Sequence, residues 1–227
     1  RSLPEPLLDK SLTRYHILVN GAQVYDSFDD KTLLREELTP QQAMCMLHFL
    51  KAHNVLRGVY IDGLGHMSRE DFSEIEAVAA SPAMAALMRR SYQTDEDLDA
   101  VTAQHDSVQK IIAFFRNPDD KQATIREITS RFQGYAVSSS LGNNIEINAK
   151  NATKGSALCF LCEKIGIPIG QCMAFGDGTN DYSMLRAAGF GVAMGNASEE
   201  VQSCADAVTE TNEEDGVARM IERVLGL

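Results

Sequence analysis

Six consecutive residues carry side chains and backbone freedom suited to chemistry: Gly176-Asp177-Gly178-Thr179-Asn180-Asp181. The apolar run Cys172-Met173-Ala174-Phe175 precedes them and reads as a buried strand. Tyr182 to Ala188 follows and reads as a helix stopped by Gly189. A glycine-rich turn between strand and helix is where an open α/β sheet binds ligands, outside the carboxyl ends of its strands. The glycines permit close backbone approach. Asp177 and Asp181 offer hard oxygen donors, suited to a magnesium ion that keeps several waters and shares a substrate phosphate. A plainer reading is a polar turn with Thr179 or Asn180 as helix N-cap. That would account for a single Asp-Gly pair better than for six such residues in a row.

The flanking elements must position this turn. From Lys154 the chain alternates regularly: helix 155–165, strand 172–175, helix 182–188, strand 190–194, helix 198–205, strand 207–209 and helix 216–225. Such alternation means a parallel sheet with helices on both faces. Gly189 to Gly195 has the look of a nucleotide fingerprint, but its glycines flank a strand, and they read as two strand-end turns.

Upstream, 2–12 reads as a short helix after Pro4 or Pro6, and 15–19 as a strand ending in Asn20-Gly21-Ala22. Residues 23–26 and 31–38 can pair as a hairpin across Ser27-Phe28-Asp29-Asp30. Thr39-Pro40-Gln41-Gln42 is a helix start with N-cap, proline at the first position and a capping box. Val59-Tyr60-Ile61 is a short strand, 69–105 reads as mainly helical, and 108–115 as a strong strand. A helix from about Asp119 ends at Gly134, and strands 135–140 and 144–149 turn at Gly142-Asn143. This middle part is an α+β pattern.

Composition excludes several classes. The 227 residues carry a net charge of −11, with a sequence pI near 4.9. That argues against nucleic acid as a partner. No apolar run approaches the ~20 residues of a membrane span. The opening Arg1-Ser2-Leu3-Pro4-Glu5-Pro6 lacks the apolar region of a signal peptide. Five cysteines, Cys45, Cys159, Cys162, Cys172 and Cys204, do not make a disulfide framework, and a reducing cytoplasm is the simplest expectation. Cys159 and Cys162 form a lone C-x-x-C on a helix with an apolar face and read as buried core thiols.

Lys154-Gly155, the 176–181 turn with Met184 and Leu185, and Gly191-Val192-Ala193-Met194-Gly195-Asn196-Ala197 together resemble the C-terminal half of haloacid-dehalogenase-like phosphatases of the Cof-like branch. Asn20-Gly21-Ala22 with Val24-Tyr25-Asp26 is similar to the end of a core strand in that branch. The resemblance implies a Rossmann-like α/β core at 1–37 and 146–227, with an inserted α+β cap of type IIB at 38–145. It implies magnesium-dependent hydrolysis of a small phosphorylated metabolite, a sugar phosphate or similar, through an aspartyl-phosphate. By resemblance Asp177 binds the metal, and Asp181 supports the metal shell and catalysis. Lys154 neutralises the phosphoryl group, Asn180 reaches the substrate phosphate, and Asn20 lies on the floor of the phosphate site. Phosphoryl transfer needs this kind of positioning and charge neutralisation.

One departure from the family pattern stands out. The family's nucleophile lies in D-x-D-x-T/V after a first strand, and its second motif is a Ser or Thr ending a second strand. In residues 1–227 neither follows an apolar strand run. Asp9, Asp26, Asp29 and Asp30 are not substitutes, because none sits in that pattern after an apolar strand. The expectation is therefore an incomplete core whose nucleophile lies upstream of residue 1. The alternative is a non-catalytic binding or regulatory module that keeps half a site.

Overall fold

The computed structural model describes residues 13–227; the helix expected at 2–12 lies outside them. Three sheets organise the described chain. Strands β1 (Tyr15–Leu18), β2 (Gln23–Asp26) and β3 (Lys31–Arg35) form an antiparallel sheet, with the 3-10 turn Val19–Gly21 between the first two. The expected hairpin is present, with Asp26 opposite Lys31.

Helix α1 (Pro40–Leu50) starts as its sequence specifies. Thr39 accepts from the backbone of Gln42, the Gln42 side chain accepts from the backbone of Thr39, and Pro40 takes the first turn. Strands β4 (Val55–Ile61) and β5 (Leu64–Ser68) follow, then helices α2 (Arg69–Ser73) and α3 (Pro82–Ser91), strand β6 (Tyr92–Asp95) and helix α4 (Leu98–Ala103). Strand β7 (Lys110–Phe115), helix α5 (Asp120–Arg131), strand β8 (Tyr135–Ser138) and strand β9 (Asn144–Ala149) complete a six-stranded mixed sheet in the order β6-β5-β4-β7-β9-β8. The mainly helical reading of 69–105 thus misses β6. This polar Tyr-Gln-Thr-Asp edge strand is held by parallel pairing to β5, not by an apolar pattern of its own.

The six-stranded sheet is buried on both faces. Val55, Val59, Ile61, Ile111, Ala113, Phe115, Ile145 and Ile147 share one face with Leu47 of α1, Leu98 of α4 and Ile128 of α5. Leu56, Ile112 and Phe114 turn the other way, against Ile75 and Met88. That two-sided burial is why β7 reads as an unbroken apolar run.

The chain divides into two compact units, the first ending at Ala152 and the second being Thr153–Leu227. The expected boundary at 145/146 falls inside β9. Hydrogen bonding to β7 on one side and β8 on the other keeps that strand in the six-stranded sheet through Ala149.

The second unit contains helix α6 (Lys154–Ile165), β10 (Met173–Gly176), helix α7 (Tyr182–Ala187), β11 (Phe190–Ala193), helix α8 (Glu199–Gln202), β12 (Ala207–Val208) and helix α9 (Gly216–Leu225). Strands β10, β11 and β12 are parallel neighbours, so the expected α/β pattern is present. Ala174, Leu185, Ala193 and Val201 are its buried centre. Thr153 caps α6 through its hydroxyl, and Gly166 at φ 72° ends it. Among the described residues no helix is long and apolar enough to cross a membrane.

The contact between α6 and α7 is close because Gly155 has no side chain. A Cβ there would lie 2.2 Å from the carbonyl oxygen of Ser183, and the Gly155 amide donates to the Ser183 hydroxyl at 3.0 Å. Gly155→Ala should lower the stability of the full-length protein by about 2 kcal/mol. Overpacking against backbone outweighs alanine's helix propensity. Chemical unfolding measures this, and an unchanged or raised midpoint would show that the helix contact relaxes freely.

Candidate active site

The 176–181 turn lies between β10 and α7, as its flanking sequence predicts. Gly176 ends β10, and residues Thr179–Asp181 form a 3-10 turn with Gly178 at its N-cap. Asp181 is buried and closes back on the turn that it ends. Its Oδ2 accepts from the backbone amides of Asp177 and Gly178, each at 3.0 Å. A Cβ on Gly176 would stand 2.4 Å from the Asp181 Cβ, so glycine is what lets the carboxylate fold inward.

The second oxygen of Asp181, Oδ1, accepts from Lys154 Nζ at 2.5 Å. Lys154 is the first residue of α6, where a cation opposes the helix dipole. The paired carboxylate compensates that placement. The Lys154 side chain keeps 29% of its exposure while Asp181 keeps 6%, so the cation is the half of the pair that faces outward.

Asp177 is exposed. Its Oδ2 accepts from Asn196 Nδ2 at 3.2 Å, and the Asn196 Oδ1 in turn accepts from the backbone of Asn212 at 3.1 Å. Asn196 is a site residue that the sequence reading did not single out, although it lies in the Gly195-Asn196-Ala197 stretch. Asn180 is half-buried beside Gly178.

The donor set fits magnesium in a limited way. Asp177 offers a hard, outward carboxylate, whereas the oxygens of Asp181 are already engaged by Lys154 and two amides. No group of three or more His, Cys, Asp or Glu among the described residues is placed to hold a metal by itself. One protein carboxylate completed by phosphate and water oxygens is an arrangement that magnesium accepts.

A family profile described as haloacid dehalogenase-like hydrolase matches residues 4–221. The chain belongs to this family. A solved haloacid dehalogenase-like hydrolase from B. subtilis superposes with a TM-score of 0.80 at 27% identity, covering 96% of this chain and 82% of that one. A sugar phosphatase of haloacid dehalogenase subclass IIB shares the fold, with a TM-score of 0.77 at 21% identity over 96% of this chain and 78% of that one. Among curated proteins, the 5-amino-6-(5-phospho-D-ribitylamino)uracil phosphatase YcsE of Bacillus subtilis is 42% identical over 103 residues. That match takes in 45% of this chain and spans 41% of the relative's own length.

Within this haloacid-dehalogenase-like chain, Lys154, Asp177, Asn180 and Asp181 are gathered in the second unit, and Asn20 belongs to the first. Asn20 sits in the 3-10 turn after β1 with a left-handed backbone, φ 59°, which asparagine tolerates. Its Nδ2 donates to Glu146 Oε2 and, at 3.3 Å, to Asn148 Oδ1. Asn148 donates to the carbonyls of Val19 at 3.2 Å and Gln109 at 2.9 Å. Glu146 Oε1 also accepts from Lys110 Nζ at 3.1 Å and from the Ser140 hydroxyl at 2.9 Å. Lys110 lies over the Tyr60 ring, 4.6 Å from its centroid. A cavity of about 160 Å³ opens here, lined in part by Lys110, Glu146, Tyr60, Tyr92 and Ser140.

The sequence reading placed Asn20 at a phosphate and passed over Glu146 and Lys110. The same unit carries the polar residues His66, Arg69, Arg89, Arg90 and Arg116. Four of them are committed to local pairs, with Asp95, Glu96, Glu76 and Glu74 respectively for His66, Arg69, Arg89 and Arg116.

Burial pushes the Glu146 carboxyl up. The Lys110 charge and hydrogen bonds from Asn20, Ser140 and Lys110 outweigh it, so the pKa lies below the ordinary 4.5. A lowered folded-state pKa contributes stability that is complete above 4.5 and is lost as pH falls through the folded value. Glu146→Gln should cost about 3 kcal/mol at neutral pH, because Lys110 is left without its carboxylate. The variant should also lack part of the wild-type loss of stability below 4.5. Unfolding midpoints from neutral pH down to acid measure both effects, and parallel curves for the two proteins would remove Glu146 from the acid response.

Proposed function

We propose that the protein containing these residues hydrolyses the phosphate monoester of a small metabolite, a sugar phosphate or similar, through an aspartyl-phosphate with magnesium as cofactor. The observation that carries this reading is the outward Lys154 ammonium fixed by Asp181 within the turn that presents Asp177. Family membership and the phosphatase name of the B. subtilis relative support it. In that relative's name the substrate is a phosphorylated ribityl compound. The core is proposed to comprise residues up to 37 together with Thr153–Leu227, and the type IIB cap the six-stranded sheet with its helices.

Each side chain has a role. Lys154 neutralises charge on the transferring phosphoryl group and on the attacking carboxylate. Asn180 donates its amide to a phosphate oxygen. Asp181 holds Lys154 in position and braces the amides of the turn. Asp177 supplies the carboxylate that would hold magnesium, which when bound neutralises charge on phosphate oxygens. Positioning and neutralisation are most of what phosphoryl transfer asks of a protein. The attacking carboxylate is assigned to residues outside these 227, because the one D-x-D-x-V match within them, Asp97-Leu98-Asp99-Ala100-Val101, does not follow an apolar strand: Asp97 caps helix α4, and Asp99 pairs with Lys51.

In the full-length protein Lys154→Ala should lower kcat by at least roughly a hundredfold, ~2.7 kcal/mol, as for deletion of one preorganised transition-state donor. A thermal melt run alongside separates this from unfolding, and a folded variant with wild-type turnover would make Lys154 a surface cation.

Asp177→Asn in the full-length protein should lose magnesium binding and turnover together, since a hard cation loses its charged ligand. Unchanged magnesium dependence of the variant would take Asp177 out of the metal site.

Residues 1–227 alone should release no phosphate from an aryl phosphate with magnesium saturating. Without a nucleophile the covalent route is closed. Turnover comparable to the full-length protein would place the nucleophile within these residues. A full-length protein that binds phosphorylated sugars without turning them over would instead favour a binding module.

A further inference from the structure

The sulfur atoms of Cys162 and Cys172 lie 3.2 Å apart. They come from different elements. Cys162 is in the last turns of α6, and Cys172 immediately precedes β10. The chain between them is pinned: Gly166 ends the helix, the Ile167 amide donates to the Cys162 carbonyl at 3.0 Å, and the Cys172 amide donates to the Ile169 carbonyl at 3.0 Å. The Cys172 carbonyl is fixed in turn by the amide of Phe190 at 3.1 Å. Two thiols held in this way need to approach by only about 1.2 Å to reach the ~2.05 Å of a disulfide.

The two sulfurs differ in access. Cys162 is buried and Cys172 is half-buried. Cys172 also lines a surface cleft of about 400 Å³ together with Gly170, Gln171, Met173, Phe190 and Val224, which admits a small oxidant. Cys159, the other half of the C-x-x-C, is exposed instead of buried as the sequence suggested, and so is Cys45. The motif's helical spacing brings Cys162 inward to a residue ten positions later, not to Cys159.

We propose that Cys162 and Cys172 are a redox modification site, closed to a disulfide by a peroxide and reopened by a dithiol. In the first step the Cys172 sulfur, as thiolate, attacks one peroxide oxygen and the O–O bond breaks. Sulfur is oxidised to the sulfenic acid, and the departing hydroxide takes a proton to become water. In the second step the Cys162 sulfur attacks the Cys172 sulfur. The S–O bond breaks, and the leaving hydroxide takes the Cys162 proton as a second water. Burial and the hydrogen bond with Cys172 push the Cys162 thiol up to about 11. This keeps it protonated at neutral pH, so the first attack falls to Cys172, and the Cys162 proton is given up only to the leaving hydroxide of the second step. The bond would fasten the end of α6 to the strand that leads into Asp177. The proposal rests on this sulfur pair alone and stands apart from the hydrolase reading.

The test uses the full-length protein, treated with increasing hydrogen peroxide, alkylated with iodoacetamide and mapped by mass spectrometry with and without dithiothreitol. The expected result is joint loss of alkylation at Cys162 and Cys172. A linked peptide pair should appear, lighter by two hydrogen atoms and separated again by dithiothreitol. Cys159→Ser should leave the link intact. Cys162→Ser should leave Cys172 as a sulfenic acid that dimedone traps. The wild-type map decides the matter even where that variant does not fold. Alkylation of both residues retained throughout, over-oxidation of Cys172 with Cys162 still alkylated, or a link through Cys159 or Cys204 would each overturn the assignment.

Discussion

The second unit depends on the placement of one buried carboxylate. Asp181 binds the amides of Asp177 and Gly178 with one oxygen and the Lys154 ammonium with the other. A helix start, a strand end and a tight turn are thereby tied at one point. The arrangement is available only because Gly176 and Gly155 leave room, for the Asp181 side chain and for the backbone of Ser183. Either position with a side chain would push α6 or the turn away, and Lys154 would lose the partner that offsets its unfavourable place at a helix N-terminus. Electrostatics and close packing therefore specify the same geometry, and neither would produce it alone.

The first unit places a different polar group in a different setting. Strand β9 sends Ile145 and Ile147 into an apolar core and Asn144, Glu146 and Asn148 to the opposite face, where they too are buried. Burying three polar residues on one strand face is tolerable because each is bonded. Asn144 accepts from the backbone of Leu141 at 2.8 Å, Glu146 from Lys110 and Ser140, and Asn148 holds the carbonyls of Val19 and Gln109. A half-satisfied network at this depth would cost more than an apolar face. The left-handed turn at Asn20 is what delivers the final donor to Glu146.

What was legible in the sequence follows from how local each signal is. Thr39-Pro40-Gln41-Gln42 contains its whole capping box within four residues, and the structure reproduces it. The 176–181 turn carries its own strand end, glycines and carboxylates, so its location could be read, whereas the pairing of Asp181 with Lys154 could not, since the two lie 27 residues apart. Strand β6 could not be, because its order comes from β5, a partner distant in sequence. The alternation in β9 was visible, but alternation alone does not say whether the polar face meets water or a lysine from β7. Nor does C-x-x-C say which sulfur faces which, since the partner of Cys162 comes from beyond the helix.

The two lysine–carboxylate pairs show why a buried ion pair is a poor guide to stability and a better guide to placement. Removing two charges from water costs several kcal/mol per ion unless geometry and further hydrogen bonds restore it. Around Glu146 the compensation is nearly closed: lysine, serine and asparagine all converge, and the lysine side chain keeps only 13% of its exposure. Around Asp181 it is deliberately one-sided, since backbone amides and lysine saturate the carboxylate while Lys154 stays more than twice as exposed, at 29%. A cation oriented from behind and open in front keeps donors available to an incoming anion at no cost in reorganisation. The same residue types thus produce a buried structural joint in one unit and an outward-facing charge in the other. The difference lies in how many neighbours each lysine is given, not in the strength of the pair.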